Sequence, residues 1–262
     1  MEPSRIAAVF MRHAYEFRHN VNQMANMLYL PIMNIVLWGF FTVYLRQGEQ
    51  LRPSIVSCLL GAIILWGLFN TFQREIATGF LEEVWSQNLV NLFGSPLTIS
   101  EYAAGLVAAN LVKVFAGFLA GSLVAWAFYH YDIFPALMAF MPFLLNLALF
   151  ALAVGIVITG LILRYTTKIQ AMAWSFAGLL MPLSCVLYPL TSLPGVLRPL
   201  AWMLPTTQSF EGMREAINAG TFSAPDFTWG FALNLAYVAF SVVFFRSMFE
   251  SARSRGLLVK TA

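Results

Sequence analysis

Residues 74–101, REIATGFLEEVWSQNLVNLFGSPLTISE, form a charged amphipathic stretch between two long apolar runs. Within it, apolar side chains recur at helical spacing over residues 80–93, whereas Glu82 and Glu83 lie away from that stripe. The pattern predicts a helix with one apolar face. Spacing alone leaves two interpretations open, a helix that rests on a bilayer and a helix that contacts a soluble partner.

A short signal separates this predicted helix from the next one. Residues 94–96, Gly-Ser-Pro, are expected to end it, because glycine and proline interrupt helices. Thr98 and Glu101 then have the spacing of a capping box, with Thr98 as the N-cap and Glu101 three residues later. The amphipathic helix is therefore assigned to residues 78–94.

The composition indicates an integral membrane protein. Hydrophobic residues make up 60% of the 262 residues and charged residues 10%, whereas soluble domains carry about 25% charged residues. The formal net charge of +3 is attributed to basic residues retained on the cytoplasmic side, since no run of Lys or Arg suggests a nucleic-acid partner. Cys58 and Cys185 lie in apolar runs without metal-ligand spacing, so we expect free thiols and no metal site.

Six apolar runs are long enough to cross a hydrocarbon core of about 30 Å at 1.5 Å per residue. The predicted fold is an all-α integral membrane protein with six transmembrane helices, both termini on one side. The order is an interfacial helix at 1–20, spans at 24–45 and 53–73, the amphipathic helix at 78–94, spans at 102–129, 135–163 and 169–187, an apolar segment at 188–226, a span at 227–245 and a tail at 246–262.

The segment 188–226 is rich in Pro and Gly but remains apolar, so a free loop is not expected. Two short re-entrant or interfacial helices, at about 195–203 and 207–218, fit it better, with neighbouring helices covering their backbone. Lys113 is the one charge well inside an apolar run. It either pairs with Glu75 or Glu101, or extends along the helix to the membrane interface.

The distribution of basic residues predicts the orientation, because cytoplasmic loops of membrane proteins carry more Lys and Arg. One side receives Arg5, Arg12, Arg18, Arg74, Arg164, Lys168, Arg246, Arg253, Arg255 and Lys260, and the other receives Arg46, Arg52, Arg198 and Arg214. The first side is assigned to the cytoplasm. Both termini and residues 74–101 are then cytoplasmic, and residues 188–226 lie outside.

With this topology the chain resembles the permease subunit of an ABC-2 type exporter over nearly its whole length. The local matches are Arg74-Glu75, Gly79, Leu81, Glu82, Ser95-Pro96 and Gly105 around the amphipathic helix, and Leu193-Pro194, Leu204-Pro205-Thr206 and Arg214 outside. The resemblance implies a homodimer that works with two ATPase subunits in a bacterial cytoplasmic (inner) membrane. It also implies that residues 80–93 are a coupling helix, that residues 164–170 form a second contact, and that the N-terminal helix packs beside the ATPase.

The resemblance also implies roles for individual residues. The expected ATPase contacts are Phe80, Leu81, Glu82, Val84, Trp85, Leu89, Arg164 and Lys168. Candidates for the translocation path, expected between spans one, two and five of the two permeases, are Trp38, Phe41, Trp66, Phe69, Trp174 and Phe176. Each of these aromatic residues also fits a lipid-facing or bundle-packing position. Pro194, Pro205 and Arg214 are candidates for an external gate.

The sequence contains no nucleotide-binding motif and no catalytic motif. No GxxxxGK[ST] phosphate loop occurs, and no Gly is followed by Lys, so ATP and Mg²⁺ are expected on a partner subunit. No catalytic residues, cofactor or metal ligands are assigned. An ion-coupled secondary transporter remains an alternative, although no carboxylate lies near the centre of a predicted span.

A membrane enzyme acting on lipids is a third reading, for which Glu211, Glu215 and Asp226 could serve as acids or bases. Nothing in the spacing of these three residues selects a reaction. For the exporter, aromatic lining suits a lipid-linked glycan, a lipid or a drug-like molecule equally well. The apolar external segment favours an amphiphilic substrate.

Overall fold

The computed structural model describes residues 2–47, 53–86, 88, 94–129, 134–165 and 169–255. Within these ranges the chain is all-helical and contains no β-strand. The helices are α1 (Pro3–His19), α2 (Val21–Gln47), α3 (Pro53–Trp85), α4 (Ile99–Tyr129), α5 (Phe134–Tyr165), α6 (Met172–Leu180), α7 (Arg198–Trp202), α8 (Pro205–Ala219) and α9 (Ala224–Ser254), with a 3-10 turn at Leu190–Ser192 before α7.

Three of these helices are long and apolar enough to cross a membrane, among the residues that the structure describes. They are Ser100–Tyr129 in α4, Met141–Tyr165 in α5 and Ala224–Ser254 in α9, and a shorter apolar stretch, Ile32–Phe41, lies in α2. The chain is therefore a multi-pass membrane protein. The count of six spans stays a prediction.

The long helices pack around α5 and α3. Helix α5 contacts α3, α8 and α9, and α4 contacts α1, α2 and α3. Gly155 allows α5 to approach α3 closely, because a Cβ at this position would lie 2.9 Å from Ile76 Cβ and 3.2 Å from the Gln73 carbonyl oxygen. Small residues permit such close contacts between membrane helices, where packing rather than hydrophobic burial drives association.

Helix α3 differs from the prediction of a span at 53–73 and a separate helix at 78–94. It is one continuous helix of 33 residues that ends at Trp85. Its buried stripe continues through Ile76, Phe80 and Val84, so the same face packs against the bundle on both sides of the predicted break. Of the rest of the predicted amphipathic helix, residues 87 and 89–93 lie outside the described residues.

Helix α6 is shorter than the span predicted at 169–187. It has nine residues, or about 14 Å at 1.5 Å per residue, which is less than half of a bilayer core. Pro182 follows closely and has no N–H group to continue the hydrogen-bond ladder. Turns and bends fill residues 181–188, where Cys185 has a φ of 53°, a left-handed backbone that is uncommon for a residue other than glycine.

Candidate functional site

Helix α1 meets two other segments at one end of the bundle: residues 82–86, at and just after the end of α3, and residues 94–102, which lead into α4 and include its first turn. We call this region the α1 platform. Arg5 places its Nη1 atom 2.8 Å from the Pro96 carbonyl oxygen and 3.7 Å from Glu101 Oε2. The backbone N–H of Glu2 donates to Glu101 Oε1 at 2.8 Å. The buried Glu101 side chain thus ties the start of α1 to the start of α4.

The capping box predicted at the start of α4 is present. The backbone N–H of Thr98 donates to Glu101 Oε2 at 3.0 Å, and the backbone N–H of Glu101 donates to Thr98 Oγ1 at 3.3 Å. This reciprocal pair satisfies two of the N–H groups that a helix start leaves without partners. Glu101 therefore caps α4 and also binds α1, since the same carboxylate accepts the hydrogen bond from the Glu2 N–H and pairs with Arg5.

A second ion pair joins the middle of α1 to the end of α3. Arg12 Nη2 lies 2.9 Å from Glu83 Oε1, and the Glu83 side chain is only 2% exposed. Asn88 Nδ2 also donates to Glu83 Oε2 at 2.8 Å, and Arg12 contacts Glu16 at 3.0 Å. The sequence placed Glu83 on the polar side of the helix. The structure corrects this, because Glu83 is buried and its carboxylate pairs with Arg12 of α1.

His13 lies beneath this pair and is 3% exposed. Its ring centroid is 6.2 Å from that of Tyr102, and its Nδ1 atom is 3.4 Å from Glu16 Oε2. Burial lowers the pKa of His13, since removal from water disfavours the charged imidazolium; Glu16 acts in the opposite direction. Nothing in the spacing of the sequence indicates that this histidine is enclosed.

Lys113 lies deeper in the bundle, on α4. Its Nζ atom is 3.3 Å from Glu75 Oε2 of α3 and 5.3 Å from the centroid of the Phe17 ring of α1. The side chain is about 10% exposed. Of the two interpretations left open, the structure shows the ion pair with Glu75, and it adds a cation–π contact that the sequence did not indicate.

The surface of the α1 platform holds part of the predicted ATPase contact. Trp85 is 50% exposed and stacks on Trp174 of α6, with ring centroids 6.2 Å apart and an interplanar angle of 17°. Glu82 is half-buried beside it. These two residues border an open cavity of about 770 Å³. Its lining consists of Arg12, Glu16, His19, Asn20, Val21, Glu82, Glu83, Trp85 and Ser86.

The other predicted ATPase contacts occupy different positions. Phe80, Leu81 and Val84 are 2%, 0% and 6% exposed, and they pack in the core of the bundle. Arg164 is half-buried at the end of α5, with its guanidinium 5.3 Å from the Tyr165 ring centroid. Leu89 and Lys168 lie outside the described residues. The structure therefore leaves Trp85 and Glu82 as the accessible members at the end of α3.

The six aromatic residues proposed for a translocation path do not form one group. Trp66 stacks on Phe69 with centroids 4.9 Å apart, and Phe69 stacks on Phe150 at 5.8 Å, inside the core. Phe41 and Trp174 are 47% and 45% exposed on the surface of the chain. The remaining two, Trp38 and Phe176, are half-buried, and Trp38 lies edge-on to Phe41 with centroids 5.7 Å apart.

Arg214 holds a turn at the opposite end of the bundle. It lies on α8 and donates from Nη2 to the carbonyl oxygens of Cys185 and, at 3.0 Å, Val186, while its Nη1 atom is 2.9 Å from Glu211 Oε1. Glu211 in turn accepts from the Leu190 N–H at 2.6 Å. Burial lowers the pKa of Arg214, and the neighbouring Glu211 carboxylate opposes that effect.

The other two external gate candidates differ in exposure. Pro194 is exposed, and Pro205 is buried in the first turn of α8. A second arginine that the sequence did not single out, Arg198, donates to the Leu193 carbonyl oxygen at 2.8 Å and to the Thr191 carbonyl oxygen at 2.6 Å. Both arginines therefore satisfy carbonyl groups of the irregular segment between α6 and α7.

Long apolar helices joined to a charged platform place this chain in the class of multi-pass membrane proteins. Within the described residues, no group of three or more His, Cys, Asp or Glu side chains has the arrangement of a metal site. A protein-family model described as ABC-2 type transporter matches residues 6–218. No curated protein matches the chain.

The chain therefore belongs to the ABC-2 type transporter family. The matched range runs from α1 to the end of α8 and includes the α1 platform. Members of this family are the membrane permease components of ABC transporters, and they normally work with an ATP-binding subunit.

Proposed function

We propose that this chain is the permease subunit of an exporter driven by a separate ATPase that docks on the α1 platform. The observation that carries the proposal is the continuity of α3. One helix of 33 residues runs from the aromatic core at Trp66 and Phe69 to the exposed ring of Trp85. A displacement applied at Trp85 would therefore reach the core through a single hydrogen-bonded rod.

The ion pairs of the platform support this reading. Arg12 with Glu83, and Arg5 with Glu101, connect α1 to α3 and α4 through carboxylates that are nearly buried. Such pairs hold the three helices in fixed relative positions, because breaking a pair leaves a poorly solvated carboxylate without a partner. A docked ATPase would then move α1, α3 and α4 together rather than α1 alone.

The finer assignments are part of the same proposal. The α1 platform is cytoplasmic, both termini are inside, and the protein is in a bacterial inner membrane as a homodimer. The exposed aromatic residues of α2, such as Phe41, and Trp174 of α6 are candidates for the face between the two copies and for the substrate path. The substrate is amphiphilic or hydrophobic, of the class of lipid-linked glycans, lipids and drug-like molecules.

The proposal can be tested directly by asking whether ATP hydrolysis drives transport. Purified chain reconstituted into vesicles is expected to transport an amphiphile and hydrolyse ATP only when a separate ATP-binding subunit is supplied, because the sequence lacks a phosphate loop. The measurement is substrate movement with and without that subunit and Mg-ATP. Transport driven by a proton gradient alone would contradict the proposal and favour the ion-coupled transporter.

The docking surface can be tested with Trp85. Trp85→Asp is expected to weaken co-purification with the ATPase by more than tenfold, because tryptophan is enriched among the few interface residues whose truncation costs about 2 kcal/mol or more. Trp85→Phe should retain most of the binding. Leu81 and Val84 are unsuitable for this test, since their burial means that a charge there would disrupt folding.

Trp202 offers a matched control for this experiment. It is 46% exposed and stacks on Trp229 with centroids 4.5 Å apart, at the end of the bundle away from the platform. Trp202→Asp also replaces an exposed, stacked tryptophan by a carboxylate. It should leave ATPase binding intact. Equal binding by wild type and Trp85→Asp would refute docking at the end of α3.

A further inference from the structure

A groove opens at the side of the bundle between α4 and α9. Its volume is about 550 Å³, which is within the roughly 300–1,000 Å³ typical of small-molecule sites. Ile76 and Phe80 of α3 and Ile156 and Thr159 of α5 contribute to its lining. Ile76, Phe80 and Thr159 are at most 7% exposed, so the helices behind the groove close its base.

The walls of the groove are apolar. Leu106 and Val107 of α4 form one side, and Val242, Phe245 and Phe249 of α9 form the other. Both α4 and α9 are long and apolar enough to cross a membrane. A groove between two such helices opens towards lipid rather than water, so its apolar walls meet hydrocarbon chains.

The end of the groove at the α1 platform is charged. Arg246 and Arg253 are exposed on α9 and line the groove together with Glu250. The two arginines are seven residues apart, which places them on one helix face about 10 Å apart. Neither forms an ion pair with a carboxylate in the part of the chain that the structure describes. The three side chains together carry a formal charge of +1, and the exposed Ser100 of α4 adds a hydroxyl group.

We propose that this groove binds an anionic phospholipid of the bilayer, with its phosphate on Arg246 and Arg253 and an acyl chain along the walls. The planar guanidinium group suits phosphate because it donates two parallel hydrogen bonds. Basic pockets between membrane helices bind anionic lipid headgroups for this reason. A water-soluble phosphate would leave the apolar walls uncovered, so the combination of both features selects a lipid.

This inference depends only on the protein lying in a membrane, and it stands or falls separately from the exporter function. Lipid binding can be measured on the purified chain in detergent without an ATPase. Native mass spectrometry during titration with phosphatidylglycerol or phosphatidylcholine is expected to show at least tenfold tighter retention of phosphatidylglycerol. Equal retention of the two lipids would overturn the proposal.

Two sets of variants locate the site. Arg246→Gln with Arg253→Gln should abolish the preference for phosphatidylglycerol. The matched control, Arg18→Gln with Arg255→Gln, removes the same charge from exposed positions that do not line the groove and should preserve the preference. A preference that survives the first pair, or that both pairs reduce equally, would show a non-specific charge effect and overturn the assignment.

The apolar part of the groove has its own test. Ala103 lines the groove and is exposed, so Ala103→Trp should fill it and reduce retention of phosphatidylglycerol at least tenfold. Ala116→Trp places the same ring on an exposed part of α4 away from the groove and should retain the lipid. If Ala103→Trp instead changes the oligomeric state while lipid retention is unaltered, a second copy of the chain occupies the groove and the proposal is wrong.

Discussion

At the residue scale, the charge that the sequence places well inside an apolar run is paired across helices. Lys113 of α4 meets Glu75 of α3 at 3.3 Å, although 38 residues separate them in the sequence. Glu75 is 20% exposed and Lys113 about 10%, so neither group is fully hydrated. Because water only partly screens this pair, each charge depends on the other.

Removing one member of the pair tests this dependence. Lys113→Met is expected to lower stability by about 1–3 kcal/mol, because it leaves the Glu75 carboxylate without its partner. The midpoint of thermal unfolding in detergent should therefore fall, and transport should fall with it. Lys113→Met combined with Glu75→Gln should recover part of the loss. An unchanged midpoint in the single variant would indicate that Lys113 reaches the interface instead.

His13 should make the α1 platform sensitive to pH. Its surroundings include Glu16 and Glu83, which favour the imidazolium, and Arg12 and Lys113, which oppose it, but burial is the largest influence and the pKa is lowered. As the pH falls through about 6.5, the unfolded chain binds a proton that the folded protein does not. The associated stability is complete above pH 6.5 and decreases below it.

The expected observation is a thermal midpoint that is constant from pH 8 to 7 and decreases towards pH 5.5. His13→Gln should flatten this dependence, whatever its effect on the midpoint at pH 8. His19→Gln removes an exposed histidine of the same helix and should leave the dependence unchanged. If the His13 and His19 variants behave alike, the enclosed imidazole is not the source of the pH effect.

At the scale of elements, α8 holds the irregular segment that follows the short α6. Thr207 Oγ1 donates to the Leu183 carbonyl oxygen at 3.1 Å, and Thr206 Oγ1 donates to Ser184 Oγ at 2.8 Å. Arg214 adds its contacts to the carbonyl oxygens of Cys185 and Val186. Carbonyl groups of the turns that follow α6 are thus satisfied by side chains of α8.

Replacing Arg214 should loosen this segment. Arg214→Met removes the hydrogen bonds to two carbonyl groups and leaves Glu211 without its cation, so a loss of about 1–3 kcal/mol is expected. Limited proteolysis should cleave residues 183–193 faster, and the thermal midpoint should fall. Glu215→Gln, at an exposed position on the same helix, is the control. Cleavage at the wild-type rate would show that Arg214 does not hold the turn.

At the scale of the whole molecule, α3 connects the two ends of the bundle. Its aromatic residues form part of a chain of rings in which Phe150 also meets Tyr237 of α9, with centroids 5.1 Å apart, and Trp66 meets Phe210 of α8 at 6.2 Å. Well-packed cores transmit small displacements because they have little free volume. Any movement of α3 would therefore involve α5, α8 and α9 as well.

Much of this architecture could be predicted from the sequence, because hydropathy is a local property. Runs of apolar residues indicated the long helices, and the spacing of Thr98 and Glu101 identified the capping box at the start of α4. The lack of a phosphate loop and the order of the segments led to the family that the comparison confirms. These features depend on neighbouring residues in the chain, and helix formation in lipid requires little else.

Only the tertiary structure decided which polar residues are enclosed and where two of the helices end. Helical periodicity places Glu83 on the polar face, but the side chain is buried and Arg12 of α1 is its partner. The break expected near residue 74 is absent because the bundle continues to pack against α3 beyond it. The turns after α6 are held by side chains of α8, since Thr207 and Arg214 donate to carbonyl groups of residues 183, 185 and 186. These outcomes depend on partners distant in the sequence, so local patterns cannot contain them.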